Sequence, residues 1–132
     1  MNLTPHFAVE EFACHNGEQV PESLIPNCRR LAENLEVLRV HLGKPVVIVS
    51  GYRSPAYNKG IGGAPKSQHM TAIAADIRVP GVSNDDVADV IEHLIKVGKM
   101  QQGGLGRYEG WAHYDVRGTK ARWDNRRDGH RG

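Results

Sequence analysis

The sequence predicts an α+β domain in which helices pack on a small, mostly antiparallel sheet. Three observations lead to this class. Two segments repeat apolar residues at the three- and four-residue spacing of amphipathic helices, two short runs have strand character, and a Glu-Gly pair marks a tight turn near the C terminus. Helix, strand, loop, strand, helix and hairpin in this order are typical of an α+β fold.

The first helix is predicted over residues 21–43, from a proline to a glycine that ends it. Its apolar residues form one stripe that must face a core. They are Leu24, Cys28, Leu31, Leu35, Leu38 and Leu42.

Two strands are predicted next. Residues 45–49, Pro-Val-Val-Ile-Val, form a β-branched run that predicts a fully buried strand, and residues 74–79 alternate and end at Pro-Gly. We expect residues 50–54 to leave the first strand as a loop. Residues 60–68 are rich in glycine and predict a long shaped loop, a kind of segment that commonly carries function.

The second helix is predicted to begin after Ser83, a good N-cap with Asp86 three residues later, and to end at Gly98. Its apolar stripe consists of Val87, Val90, Ile91, Leu94 and Ile95. The last predicted unit is a hairpin of residues 104–108 and 111–117, which turns around Glu109 and Gly110.

The length and charge limit the classes of partner. A chain of 132 residues corresponds to one domain, so we expect residues 1–132 to fold as a single unit. Its 17 basic and 15 acidic residues leave a net charge of +2, which is too small to indicate nucleic-acid binding. The longest apolar runs fall far short of the ~20 residues that span a bilayer. We therefore expect neither nucleic acid nor a membrane as partner. A monomer is the expected state, although neither length nor charge determines it.

The basic excess lies in a C-terminal tail at about residues 119–132. Two interpretations are open: a solvated, partly frayed terminus, or a contact with an anionic polymer. Its basic residues are Lys120, Arg122, Arg126, Arg127 and Arg131. The two cysteines, Cys14 and Cys28, are too few for a disulfide framework, and we expect buried thiols, with a single bridge as the alternative.

Three side chains offer a candidate metal site. His69 ends the glycine-rich loop, Asp76 follows seven positions later on the next strand, and His113 lies within the last strand. Two imidazoles and one carboxylate can bind zinc and leave a position open for water, and the same set is chemically compatible with non-haem iron. Spacing alone is weak evidence, because such a trio can be chosen from many sequences.

The surrounding motifs add to this evidence. They are Ser-Gly-Tyr-Arg-Ser at 50–54, Asn58, Gly-Gly-Ala at 62–64, Ser-Gln-His at 67–69, Ala-Ala-Asp at 74–76, Gly-Leu-Gly at 104–106 and His-Tyr-Asp-Val-Arg-Gly at 113–118. In these segments the chain resembles the zinc D-alanyl-D-alanine carboxypeptidase family, and in particular its phage and prophage endolysin-like branch. The fold of that family is shared with lysostaphin-type enzymes and hedgehog domains. The resemblance covers about residues 4–123.

The resemblance implies that His69, Asp76 and His113 are zinc ligands. It also implies that Arg53 directs its guanidinium at a carbonyl or terminal carboxylate of the substrate, a task that suits a planar, bidentate donor. A structural ion pair that holds the loop is the alternative for Arg53. Ser67 and Gln68 are the further candidates for ordering the ligand loop and binding substrate.

The general base is where the sequence departs from the family pattern. Many relatives have an acidic residue three positions before the last zinc histidine, and here that position is Gly110. Glu109 is the candidate catalytic base if the turn curls inward, which a glycine makes easy. Asp115 is the alternative, either as base or as a hydrogen-bond partner of a ligand imidazole. A third possibility is that neither carboxylate is the base.

The resemblance, together with the candidate metal site, implies a zinc-dependent peptidase that cleaves an amide in the peptide stem of bacterial peptidoglycan, as a D-Ala-D-Ala carboxypeptidase or an endopeptidase. The first residues resemble no signal peptide. We therefore expect a phage or prophage lysin that is made in the host cytoplasm and reaches the cell wall after release, or a hydrolase carried on a virion. The alternative is a non-catalytic, zinc-containing module that binds the wall or builds the virion.

Overall fold

The structure is a computed structural model, and it describes residues 1–126. Two short strands at the N terminus, β1 (Asn2–Thr4) and β2 (Phe7–Ala8), pair antiparallel with each other. They are too short for a repeating pattern, which is why the sequence does not predict them. A 3-10 turn at Val9–Phe12 follows and buries Phe12 in the core.

The first predicted helix is confirmed as α1 (Ile25–Leu42), preceded by a 3-10 turn at Glu22–Leu24. Gly43 ends it in the left-handed conformation, with φ of 63°, and donates its N–H to Arg39 O at 3.0 Å. A glycine adopts this conformation without the steric cost of a Cβ atom. The predicted apolar stripe faces the core, and its fully buried members are Cys28, Leu31, Leu35 and Leu38.

The second predicted helix is confirmed as α3 (Asn84–Lys96). Ser83 caps it, because its hydroxyl oxygen accepts the N–H of Asp86 at 3.0 Å. A short helix missing from the prediction, α2 (Pro55–Gly60), lies between the two. The side chain of Ser54 caps α2, and Pro55 occupies its first turn, where a missing N–H costs nothing.

A five-stranded sheet carries the rest of the fold, with strand order β3-β4-β6-β5-β7. These strands are β3 (Val47–Ser50), β4 (Ala74–Arg78), β5 (Gly104–Arg107), β6 (Ala112–Asp115) and β7 (Ala121–Asp124). Every pairing is antiparallel except that between β5 and β7. The predicted α+β class and the predicted C-terminal hairpin are therefore confirmed.

One prediction about the sheet is wrong, and part of the segment predicted as a basic tail is an ordered strand. The first strand begins two residues later than predicted and lies at the sheet edge rather than fully buried, so that Val47 is 40% exposed. The basic tail is not frayed at residues 121–124, which form β7. Arg122 on β7 binds both carboxylate oxygens of Glu92 on α3, at 2.7 and 2.8 Å. Arg127 and Arg131 lie outside the described residues.

The core fills the space between this sheet and the helices. One face of the sheet supplies Ala75, Ile77, Leu105 and Tyr114, and α3 packs against β5 and β6. Cys14 and Cys28 are both buried and free, so the predicted thiols are confirmed and the alternative bridge is absent. Burial raises the pKa of the Cys28 thiol to about 12 and keeps it protonated.

We predict that Gly103→Ala destabilises the fold. A Cβ atom at this position would lie 1.9 Å from the backbone oxygen of Asp115, and a backbone contact of this kind cannot be relieved by a side-chain rotation. The expected loss is about 1–3 kcal/mol in the free energy of unfolding, the usual cost of forced overpacking.

Chemical denaturation of the metal-free protein measures this loss. Gly110→Ala is the matched control, since a Cβ atom there has no neighbour within 4 Å among the described residues. The control is expected to stay within about 0.5 kcal/mol of the parent protein. Equal midpoints for the two variants would contradict the prediction.

Candidate metal centre and active site

The site is built on the sheet face that turns away from the helices. Strand alternation places Asp76 on this face between Ala75 and Ile77, and it places His113 there beside Tyr114. Asp76 and His113 are direct partners across β4 and β6. Antiparallel pairing therefore brings two of the predicted ligands together although 37 positions separate them in the chain.

The same row of paired residues continues toward the edge of the sheet that β7 forms. Gly106 on β5 pairs with His113, and Trp123 on β7 pairs with Gly106. A Cβ atom at Gly106 would lie 2.4 Å from the Trp123 ring. Because the glycine leaves this space free, the Trp123 ring reaches His113, and the two ring centroids are 5.0 Å apart.

The third predicted ligand, His69, reaches the site from the 3-10 turn Gln68–Thr71. The Ser67 hydroxyl oxygen accepts the backbone N–H of His69 at 3.2 Å and so orders the ligand turn, one of the two roles predicted for Ser67. The ring Nδ1 of His69 lies 2.7 Å from the carbonyl oxygen of Gly51. A carbonyl only accepts, so Nδ1 carries the proton and Nε2, 3.4 Å from Asp76 Oδ2, keeps a free lone pair.

His113 is oriented in a similar way by Asp115. Its Nε2 lies 2.7 Å from Asp115 Oδ2, and its Nδ1 lies 3.0 Å from Asp76 Oδ1. When Nε2–H donates to Asp115, the lone pair of Nδ1 points toward Asp76 and His69. Such a carboxylate partner fixes the tautomer of a metal-binding imidazole and raises its basicity.

Asp115 is itself held firmly in the fold. Its carboxylate is fully buried and accepts hydrogen bonds from the N–H of Gly104 and from the Arg117 guanidinium, at 2.8–2.9 Å. Burial alone would raise the pKa of Asp115, but the hydrogen bonds from His113 and Arg117 outweigh burial and lower it. Gly104 is needed for this arrangement, since a Cβ atom there would lie 2.3 Å from Asp115 Oδ2.

The three predicted ligands fit a zinc ion. His69, Asp76 and His113 are all buried, and one ligand atom from each lies within 4.8 Å of the others. Burial opposes ionisation of Asp76, yet in the metal-free protein its contacts with the His113 and His69 rings lower its pKa, so it is a carboxylate. Two neutral ring nitrogens with fixed tautomers and one carboxylate form a donor set that zinc accepts in open, catalytic sites.

A cavity of about 410 Å³ opens over the cluster. All three candidate ligands line this cavity, and so do the predicted site residues Arg53, Ser67 and Gln68. The lining residues are Arg53, Ala64, Lys66, Ser67, Gln68, His69, Asp76, Tyr108, Trp111, His113, Arg117 and Trp123.

Arg53 lies at the edge of the ligand cluster. Its Nη2 is 3.6 Å from Asp76 Oδ2 and its Nη1 is 3.4 Å from the Asn58 side-chain oxygen. Its Nε is buried and has no hydrogen-bond partner among the described residues. The guanidinium is therefore only loosely paired, which leaves donors that a bound ligand can use.

Neither candidate base lines the cavity. Glu109 is exposed on the turn between β5 and β6, which the hydrogen bond from Tyr108 N to Trp111 O closes at 3.2 Å. The backbone oxygen of Glu109 accepts from the Asn84 side chain at 2.9 Å. The turn does not bring the Glu109 side chain to the cavity wall, and Asp115 lies behind His113. The role of either residue as base stays a prediction.

The aromatic wall of the cavity is a feature that the sequence did not predict. Tyr108 and Trp111 stack with centroids 5.1 Å apart, and the indole N–H of Trp123 donates to the Tyr108 hydroxyl at 2.8 Å. Trp111 and Tyr108 flank the predicted turn, a position that could have indicated a role in the site. Trp123 could not be found in this way, because its strand lies in a segment that composition marks as a charged tail.

Comparison with protein-family models supplies the deciding observation. The model described as Peptidase M15 matches residues 5–115. The chain belongs to this peptidase family. M15 members are zinc peptidases, so the family is one of metallopeptidases, and the matched segment contains His69, Asp76 and His113. The resemblance noted in the sequence is confirmed to this extent.

No curated protein gives a significant match to the chain. No helix among residues 1–126 is long and apolar enough to cross a membrane. The matched segment ends at Asp115, so β7 with Trp123 lies outside it.

Proposed function

We propose that the protein is a zinc-dependent peptidase that cleaves an amide bond in the peptide stem of bacterial peptidoglycan. The observation that carries the proposal is the pair of oriented imidazoles. Gly51 O and Asp115 each engage one ring nitrogen, so that His69 Nε2 and His113 Nδ1 face Asp76 within an open cavity. A purely structural zinc site would instead be closed by a fourth protein ligand.

The residues around the cluster supply the remaining chemistry. When bound, zinc supplies polarisation of a carbonyl oxygen and a lower pKa for water. Arg53, next to Asp76, is positioned to donate to the carbonyl or carboxylate of the substrate and to stabilise negative charge that develops there. The stacked rings of Tyr108 and Trp111 form an aromatic part of the cavity wall.

We assign the role of general base to Glu109 and the role of orienting partner to Asp115. The buried Asp115 carboxylate already accepts from His113, Gly104 and Arg117, which leaves it poorly suited to remove a proton from water in the cavity. Glu109 directly follows Tyr108 of the cavity wall on an exposed turn. The assignment requires the turn to move so that this carboxylate faces the cavity.

The biological setting proposed from the resemblance is a phage or prophage lysin, or a wall hydrolase carried on a virion. The cleaved bond is either the terminal D-Ala-D-Ala amide or an amide within the cross-link. The second candidate function is a non-catalytic zinc module that binds the wall or builds the virion. It is favoured by the one observation that Asp76, a candidate ligand, is the sole carboxylate lining the cavity in the described part of the chain.

Digestion of purified peptidoglycan tests the proposal. We expect the protein to release soluble muropeptides, whose masses identify the bond, and we expect a chelator to stop the release and added zinc to restore it. Metal analysis of the purified protein distinguishes zinc from iron. A protein that holds zinc and binds the wall but releases no fragment would support the non-catalytic module instead.

We predict that Arg53→Lys lowers turnover by more than about tenfold, which corresponds to ~1.4 kcal/mol of transition-state stabilisation. Lysine keeps the charge but replaces a planar fork with a single point of contact. Steady-state kinetics and metal analysis of the same preparation check the prediction, and the zinc content is expected to be unchanged. Full activity in the variant would reduce Arg53 to the structural ion pair that holds the loop.

A further inference from the structure

The walls of the cavity carry an excess of positive charge. Arg53, Lys66 and Arg117 all line it, whereas Asp76 is the one carboxylate among its described lining residues. In the proposed zinc site, Asp76 is committed to the metal. A substrate therefore meets a cavity whose remaining charged groups are cations, and this arrangement favours an anionic ligand.

The positive charge is concentrated on one side of the site. Arg53, Asp76 and Trp111 also line a second, smaller cavity of about 170 Å³. The other walls of this smaller cavity, which include Val49, Tyr57 and Ile61, contribute no lysine or arginine. Lys66 and Arg117 belong to the larger cavity alone, so the two sides of the Arg53–Asp76 pair differ in charge.

Lys66 and Arg117 differ in how much of their charge is already balanced. Arg117 forms a bidentate pair with Asp115, at 2.9 and 2.8 Å, and its guanidinium lies 5.5 Å from the centre of the Trp123 ring. Lys66 is exposed on the loop before the ligand turn and makes no ion pair within residues 1–126. Lys66 is thus the cation of this wall whose charge is available to a ligand.

We propose that Lys66 determines specificity by binding a carboxylate of the substrate, at a point distinct from the group that Arg53 contacts. The enzyme then prefers peptide stems with a free side-chain carboxylate over stems in which that group is a carboxamide. The inference rests on the proposed peptidase function and adds the substrate class to it. A lysine is suited to this task because its side chain is flexible and its ammonium group binds an anion without requiring a fixed geometry.

Two synthetic stem peptides that differ in one acidic side chain, free in the first and amidated in the second, test the proposal. We expect the parent protein to favour the free acid by about twofold to fivefold in kcat/KM, mainly through KM, as for an exposed ion pair. Lys66→Gln is expected to bring the ratio close to one, and Lys66→Glu to reverse it. Neither change should alter the zinc content.

Lys96→Gln is the matched control. Lys96 is exposed at the end of α3 and lines neither cavity, so this variant is expected to keep the full preference for the free acid. A parent protein that cleaves both peptides equally, or a Lys66→Gln variant that keeps the parent ratio, would overturn the proposal and leave the peptidase function intact.

A binding measurement separates this inference from the proposed function. Both tryptophans of the chain, Trp111 and Trp123, line the larger cavity, so bound peptide should change their fluorescence. If neither peptide is cleaved, the peptidase proposal fails. In that case, tighter binding of the free acid would still support the role of Lys66, provided that Lys66→Gln abolishes the difference between the two peptides. Equal binding of both peptides by the parent protein would overturn this role.

Discussion

His113→Ala is expected to remove zinc binding and peptidase activity together. His113 contacts both carboxylates of the site, Asp76 through Nδ1 and Asp115 through Nε2, so its loss removes a candidate ligand and one of the donors to the buried Asp115. We expect zinc affinity to fall by more than about hundredfold. This loss is larger than the one expected when a metal ligand only loses its hydrogen-bond partner. Metal analysis after dialysis and muropeptide release measure the two losses.

His93→Ala is a suitable control, since His93 is exposed on α3 and lines neither cavity. Circular dichroism of the metal-free proteins separates loss of the ligand from loss of the fold. His69→Ala and Asp76→Ala should behave like His113→Ala, because each supplies one atom of the same cluster. Full zinc occupancy in any of the three variants would show that the ligand assignment is wrong.

Glu109→Gln is expected to lower activity by about hundredfold or more while zinc stays bound. Glutamine keeps the size of the side chain and its capacity for hydrogen bonds, but it cannot accept the proton of water. Asp115→Asn should act differently, because Asp115 orients His113: we expect a loss of zinc affinity of about tenfold to hundredfold. Zinc titrations together with rates at saturating zinc separate the two effects.

A double variant tests the position of the base directly. Gly110→Glu in the Glu109→Gln background moves the acid to the position three residues before His113, where a Cβ atom has no neighbour within 4 Å among the described residues. We expect activity to recover if a carboxylate on this turn is the base. An active Glu109→Gln with an inactive, zinc-loaded Asp115→Asn would exchange the two roles. Two active single variants would show that neither carboxylate removes the proton.

The elements that the sequence alone determines are those with local causes. The α1 and α3 helices follow from apolar stripes with identifiable ends, Gly43 for the first and Ser83 for the second. The β5–β6 hairpin follows from the short Glu-Gly turn. The candidate metal ligands could also be named in advance, but only because the motifs around them resemble a known family.

Tertiary structure decided the features that depend on distant partners. Strand order places β3 at the edge and exposes Val47, and no local pattern reveals which neighbours a β-branched run will have. The same holds for β7, whose composition indicates a charged tail. It becomes a strand because β5 offers a parallel partner and Glu92 on α3 offers a counter-ion for Arg122.

The candidate site shows most clearly which features depend on local sequence and which depend on tertiary structure. The identities of His69, Asp76 and His113 were readable in the sequence, whereas their geometry comes from strand register, which pairs Asp76 with His113. The burial of Asp115 behind His113 and the position of Glu109 outside the cavity lining depend on how β5, β6 and their turn lie against the rest of the sheet. Local sequence specifies which side chains alternate on a strand face, and only the pairing of strands determines which of these side chains meet.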